Sequence, residues 1–380
     1  MKTWPSSSQK ALLRATFLSG DEGIKAFETW KSQIDMADHA DLGSFRLLPF
    51  LFHHLKTQGI DDPLLMKLKG IARRNWYKNQ AFFRRWAPLL QALHQAQITC
   101  MMLSGPALAW DEYRDYALDS EMELALLVPS KQAQAAIHQL QALGWQPNKP
   151  LPNDLLGPYI KAEWMQCFKD AAGRKLCLHW HLFPAGRTAV AEADIWGAAT
   201  TTKMHDVPIH LLNPVDQILY SCFKDHATTD TARFLRAIDL MLILQNTPNF
   251  NWNRLCSQAQ RHRLIVPLLE TLGYIQSTLD EPLPSAVWQQ FRAFPITRQE
   301  QLEYRLKTNY PEAWYHIWQL WFYYRCRTAQ TSLIRDVVGF PQHLQHIWRL
   351  RKLHQVPRRA MGIVRRQLQQ HFFYHQRVGR

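Results

Sequence analysis

The stretch "LDSEMELALLV", residues 118–128, decides how the rest of the chain is read. Acidic and apolar residues alternate through Glu121, Met122, Glu123 and Leu124, then give way to an unbroken apolar run. Alternate residues of a strand share a face. The pattern therefore predicts a strand carrying two carboxylates on one side. Such a pair either holds a metal ion or is what is left of a site that once did.

The neighbouring segments extend this strand into a sheet. Upstream, "ITCMMLSG" (98–105) is a short apolar run closed by Gly105, as in a buried strand. Downstream, "SKQAQAAIHQLQALGW" (130–145) predicts a helix with Ser130 as cap and Gly144 as stop. "AEWMQCFKDAAGRKLCLHWHLF" (162–183) predicts a hairpin turning at 171–174, and "HDVPIHLLNP" (205–214) one more short strand.

Helices are predicted on both sides of this unit. Residues 63–97 place Leu64, Leu68, Ile71, Trp76, Phe82, Trp86, Leu89, Leu90 and Leu93 in one core-facing stripe. From Asp216 onward the pattern is helical again, with a candidate hinge at Pro282 and Pro284. The expectation is an α+β fold in four parts: a helical region (1–96), a small mixed-sheet core (97–212), a second helical region (213–330) and a basic helical tail (331–380).

Composition narrows the class. With 47% hydrophobic and 20% charged residues, the chain is expected to fold rather than stay disordered. Its six cysteines form no CxxC pair, so neither a disulfide framework nor a zinc ribbon is expected, and a reducing compartment fits. The first residues lack an apolar signal core and no run is long enough for a membrane span. The expected location is the cytoplasm. The sequence contains no GxGxxG, GxxxxGK[ST], GxSxG or HExxH, which leaves most other enzyme classes without support.

Two minor constellations carry possible chemistry. Cys177, His179 and His181 would share a strand face and offer soft ligands for zinc; the alternative is a structural histidine. His226 and Asp239 would form a base and its orienter; otherwise Asp239 caps a helix or pairs with Arg236.

The net charge of +14 is concentrated at the C-terminus: residues 321–380 hold twelve Lys and Arg against one acid, Asp336. "LQHIWRLRKLHQV" (344–356) and "GIVRRQLQQHFFYHQR" (362–377) predict amphipathic basic helices. Arg349, Arg351, Lys352, Arg358, Arg359, Arg365 and Arg366 would present a surface to a protein or peptide partner, or to an anionic membrane at its inner face. Nucleic acid is the weaker partner, because no nucleic-acid fold accompanies the charge. Helices packed back on the body with solvated arginines would give the same pattern.

The order of "RLLPFLFHHLKTQGIDDPLLMKLKGIARRNWYKNQ" (46–80), a strand ending in Gly, an acidic strand and "LHW" (178–180) resembles the uncharacterised bacterial nucleotidyltransferases. These belong to the polymerase-beta-like nucleotidyltransferase superfamily. The resemblance spans roughly Ser44 to Trp252. It implies a site in which three carboxylates hold two divalent ions and a glycine lets the backbone approach the phosphates.

In the ungapped register, the family's lysine falls on Ser104, beside Gly105, and its arginine on Asp119. Its two strand aspartates fall on Glu123 and Ala125, and its third acid on Cys177, while Leu178, His179 and Trp180 match. That register implies a degenerate, non-catalytic member that binds a partner in a biosynthetic or modification pathway and needs no cofactor. A second register makes Glu121 and Glu123 the acidic pair, given a loop two residues shorter. It implies an active enzyme moving a nucleoside monophosphate from a Mg²⁺-bound NTP to a small molecule, peptide or protein. Both registers stand.

Overall fold

The computed structural model describes residues 6–34, 42–103, 105, 107, 124–185, 187–224, 230–279, 285–294, 296–309, 312–327, 333–363 and 365. Among the described residues helices dominate, and seven strands form one mixed sheet in the order β3-β4-β5-β2-β1-β7-β6, an α+β architecture. The strands are β1 (Met101–Leu103), β2 (Leu124–Leu127), β3 (Gln146–Pro147), β4 (Met165–Lys169), β5 (Lys175–His179), β6 (Thr200–Met204) and β7 (Val207–Leu211). Two compact units emerge, 1–126 with 194–296, and 127–193 with 297–380.

Among its described residues, the first unit opens with the helices α1 (Ser7–Phe17), α2 (Gly20–Gln33), α3 (Leu42–Thr57) and α4 (Leu64–Gln95). A capping box starts α1: the Gln9 N–H donates to Ser6 Oγ at 3.2 Å, and the Ser6 N–H to Gln9 Oε1 at 3.0 Å. The 32-residue α4 buries Leu68, Ala72, Phe83, Trp86, Leu90 and Leu93 at helical spacing. Trp76 departs from the expected stripe and faces solvent, because its position on the helix falls outside that arc.

Strand β1 runs parallel to β7, Met101 opposite His210, and β6 runs antiparallel to β7. His205 and Asp206 both take positive φ, 45° and 68°, which makes the two-residue connection whose twist suits a hairpin. After β7, Asn213 Oδ1 accepts from the Val215 and Asp216 N–H groups at 3.0 and 3.1 Å and starts the helix Pro214–Lys224. Helices Asp230–Asn246, Trp252–His262 and Ile265–Leu279 complete this unit's core. The proposed hinge prolines, Pro282 and Pro284, lie outside the described residues.

In the second unit, β4 and β5 form the expected hairpin, with Gly173 at φ 77° in the turn. The Arg174 N–H donates to Asp170 Oδ1 at 2.8 Å and closes that turn. The helix expected over 130–145 is the 3-10 turn Ser130–Gln132 followed by the helix Ala133–Ala142, with Gly144 at φ 86° beyond it. Ser130 does not cap this helix. Its hydroxyl and N–H both donate to the Glu192 carboxylate at 2.7 Å, so they are taken.

The C-terminal segment folds on itself. Helix Glu312–Arg327 brings Trp321 and Tyr324 against Phe340 of helix Leu333–Ile347, at ring-centroid distances of 5.0 and 5.6 Å. Leu320, Leu344 and Val356 form a buried cluster with Phe340, Ile347, Trp348 and Leu350 around it. The single basic helix expected over 344–356 is corrected here: the helix ends at Ile347, and Arg349 takes φ 57°. The Leu350 N–H then donates back to the Gln345 carbonyl at 2.9 Å, satisfying the helix end. Most of the second expected basic helix, 362–377, lies outside the described residues.

Candidate functional site

The residues expected to carry chemistry divide into those the structure places and those it does not. Ser104, Asp119, Glu121 and Glu123 lie outside the described residues. In the first unit, Gly105 is half-buried and Ala125 is buried in β2 between Leu124 and Leu126. The Ala125 position contributes a methyl group to an apolar strand.

In the second unit, Cys177 of β5 stands directly opposite Cys167 of β4, and the two are joined by a disulfide. This corrects the expectation of reduced cysteines. Antiparallel neighbours opposite each other bring their Cβ atoms within bonding reach. It also removes the zinc reading, because a disulfide sulfur is no thiolate ligand. Among the described residues, no group of three or more His, Cys, Asp and Glu is placed to hold a metal ion.

The "LHW" residues work as structure. Leu178 and Trp180 are fully buried, and the Trp180 indole N–H donates to the Ile160 and Glu163 carbonyls at 3.0 and 2.9 Å. His179 is buried, and its carbonyl accepts the Val128 N–H at 2.9 Å. His181 is half-buried, and burial first and the Arg187 charge second push its imidazole down to about 4, with Glu192 opposing.

One polar constellation of this unit is built around a tail residue. The guanidinium of Arg349 sits over the Tyr159 ring, 4.4 Å from its centroid. It donates to the Lys149 carbonyl, to the Pro150 carbonyl at 3.0 Å and to Gln166 Oε1. The Tyr159 hydroxyl donates to the same Gln166 oxygen at 2.8 Å, and burial pushes its phenol up to about 12. Burial also holds the Glu163 carboxyl above its ordinary range, while the Arg187, Arg349 and Lys149 charges pull it down.

Arg349 is therefore an internal clamp, not part of an outward surface. Arg351 is exposed and lies 3.6 Å from Asp154, while Lys352, Arg358, Arg359 and Arg365 are exposed. Arg366 lies outside the described residues.

The first unit has its own buried charges. Asp239 pairs with Arg46 of α3, not with Arg236, and accepts the Ser221 hydroxyl at 3.2 Å. Its suggested partner His226 lies outside the described residues. Burial holds the Asp239 carboxyl above its usual range against the Arg46 charge. Arg254 bridges Asp194 at 2.7 Å and buried Asp216 at 2.8 Å. These networks fix helices to one another, and neither presents an unpaired base or nucleophile.

For two of these features the sequence showed the residues but not their pairing. A turn at 171–174 would set Cys167 opposite Leu178; the observed hairpin is centred on Ala172, one register step away, and sets Cys167 opposite Cys177. Arg46 stands within the segment that carried the resemblance, yet nothing local marks it as the partner of an acid 193 residues away.

A family model described as "Uncharacterised nucleotidyltransferase" matches residues 30–280, about two thirds of the chain. Neither the curated proteins nor the solved structures contain a match.

Proposed function

Because the chain belongs to the uncharacterised nucleotidyltransferase family, we propose that it retains that family's scaffold while its transfer chemistry is lost or severely impaired. It then acts as a partner-binding component of a biosynthetic or modification pathway. The observation that carries this reading is the residue at the position aligned with the third carboxylate: Cys177, whether joined to Cys167 or reduced, has no carboxylate to offer. Ala125, aligned with the second, offers only a methyl. Magnesium takes oxygen ligands, and neither position supplies one.

Thermal unfolding with each NTP, with Mg²⁺ or Mn²⁺ and with EDTA, tests the reading. No shift is expected for any nucleotide. A ligand at about 100 times its dissociation constant would stabilise the fold by about 2.7 kcal/mol, which is easily seen. A metal-dependent shift overturns the reading.

That shift would favour the enzyme reading, in which Glu121 and Glu123 hold Mg²⁺ and the chain moves NMP from an NTP to an acceptor. Glu123 directly precedes Leu124, the first residue of β2, and is an acid of the site in either register. Glu123→Gln should then abolish both the nucleotide-dependent shift and transfer.

On the first reading, the exposed Arg351, Lys352, Arg358, Arg359 and Arg365 contact a protein or peptide partner. An anionic membrane face is the alternative. No helix among the described residues is long and apolar enough to cross a membrane. The reading also places the protein in the cytoplasm. Disulfides are uncommon there, so alkylation of freshly lysed cells tests the location: trapped Cys167 and Cys177 thiols support it, and a retained disulfide opposes it.

A further inference from the structure

Helix α4 combines seven Lys and Arg with no Asp or Glu over its 32 residues. Six of these cations, Lys67, Lys69, Arg73, Arg74, Arg84 and Arg85, are exposed. No ion pair joins any of them to an acid among the described residues. An ordinary solvated helix mixes its charges, as α2 does with Lys25, Lys31, Asp21, Glu22 and Glu28. We propose that the solvent face of α4 binds single-stranded nucleic acid, with its cations on the phosphates and its exposed aromatic rings on the bases.

The helix geometry gives the face its shape. At 3.6 residues per turn, Met66, Arg73, Tyr77 and Arg84 fall within about 20° of one line along the helix. Lys67, Arg74 and Arg85 run along one side of it. From Lys67 to Arg85 the cations extend over about 27 Å, a reach of several nucleotides. Opposite this face lie the buried Leu68, Trp86 and Leu93.

The aromatic residues distinguish among polyanions. Tyr77 is 67% exposed and Trp76 39%, and their rings meet edge to face at 5.1 Å. A base stacks on such a ring only when its own face is free, as in a single strand. A duplex offers phosphates but hides the faces of its bases. A membrane fits less well: guanidinium groups occupy the middle of the face, so lipid contact through Tyr77 and Met66 would draw Arg73 and Arg84 in with them. This proposal is independent of whether transfer chemistry survives.

The test uses the full chain with a fluorescein-labelled oligouridylate and the matching oligothymidylate, followed by anisotropy across a salt series. R73Q/R74Q/R84Q/R85Q should bind at least about tenfold more weakly, and its log-affinity against log-salt slope should fall by about 3, at about 0.7 per phosphate contact. Tyr77→Ala should weaken binding about fivefold or more. R73K/R74K/R84K/R85K should retain most of the affinity, and the tail variant R358Q/R359Q should bind as wild type.

The proposal is overturned if the wild type binds neither oligonucleotide. It is also overturned if the glutamine variant melts and binds like wild type, or if the tail variant alone abolishes binding. Equal competition by a duplex removes the single-strand assignment. Binding to phosphatidylglycerol vesicles or polyglutamate, lost in the same variant and absent for oligonucleotides, gives the face to a membrane or an acidic protein instead.

Discussion

Arg349 lies 4.4 Å above the centroid of the Tyr159 ring, and both residues hydrogen-bond the same oxygen, Oε1 of Gln166. One cation of the basic C-terminal segment is thereby fixed to the helix Asn153–Ala162 and to β4. The left-handed conformation at Arg349, φ 57°, turns the chain so that this side chain points inward. Arg351 and Lys352, just beyond it, stay exposed.

Removing the Arg349 side chain should therefore destabilise the second unit. Arg349→Ala gives up a partly desolvated cation–π contact and the hydrogen bonds to Lys149, Pro150 and Gln166. The expected loss is about 2 kcal/mol. Arg349→Lys keeps the charge but not the fork of donors and should recover only part of it. Urea unfolding of both variants, followed through tryptophan fluorescence, reads the difference; an alanine variant within error of wild type would refute the clamp.

The Cys167–Cys177 bond closes a loop across a hairpin, with a sequence separation of 10. Loop-closure entropy for that length corresponds to about 2.7 kcal/mol. Reduction, or C167S/C177S, should lower the urea midpoint without changing the fold, as seen by circular dichroism. Cys100, Cys222 and Cys256 are buried cysteines outside the disulfide, and burial pushes the Cys100 thiol up to about 12. A thiol reagent should therefore label the native oxidised protein slowly at these three, and a rapid reaction there would contradict the packing.

The β4–β5 hairpin and the helical stripe of α4 were legible in the sequence because each rests on local periodicity. Strand β6 was not: "TTTKM" is an exposed edge strand of polar residues, and the His205–Asp206 turn carries no glycine to announce positive φ. The break after Ile347 was hidden for the same reason, since a non-glycine residue, Arg349, takes the left-handed conformation. The Arg46–Asp239 pair is a contact of tertiary structure, invisible to any local pattern. Of the candidate site, the departures at Ala125 and Cys177 were visible by register, whereas the covalent state of Cys177 required seeing Cys167 across the hairpin.

Asp239 and Arg46 make a separate prediction for the first unit. Both side chains are largely out of water, and Ser221 supplies Asp239 with one more hydrogen bond. Arg46→Met leaves a buried carboxylate without its counter-charge and should cost about 3–5 kcal/mol. R46M/D239L removes both charges and should regain most of that stability. If the double variant unfolds as readily as the single one, packing rather than charge explains the site.

His181 sets the pH response. Burial and the Arg187 charge hold its imidazole down at about 4, against the pull of Glu192, whereas in the unfolded chain it titrates near its ordinary value of about 6.5. Between those values the unfolded chain binds a proton that the folded state refuses. The stability this site contributes is thus complete above about 6.5 and is lost as pH falls towards 4. The loss from this site alone should reach about 2 kcal/mol by about pH 5. His181→Gln cannot take up that proton, so the variant should lose less stability than wild type between neutral pH and about pH 5. Parallel urea titrations at the two pH values check this, and identical pH dependences would mean that the ring already titrates normally in the folded protein.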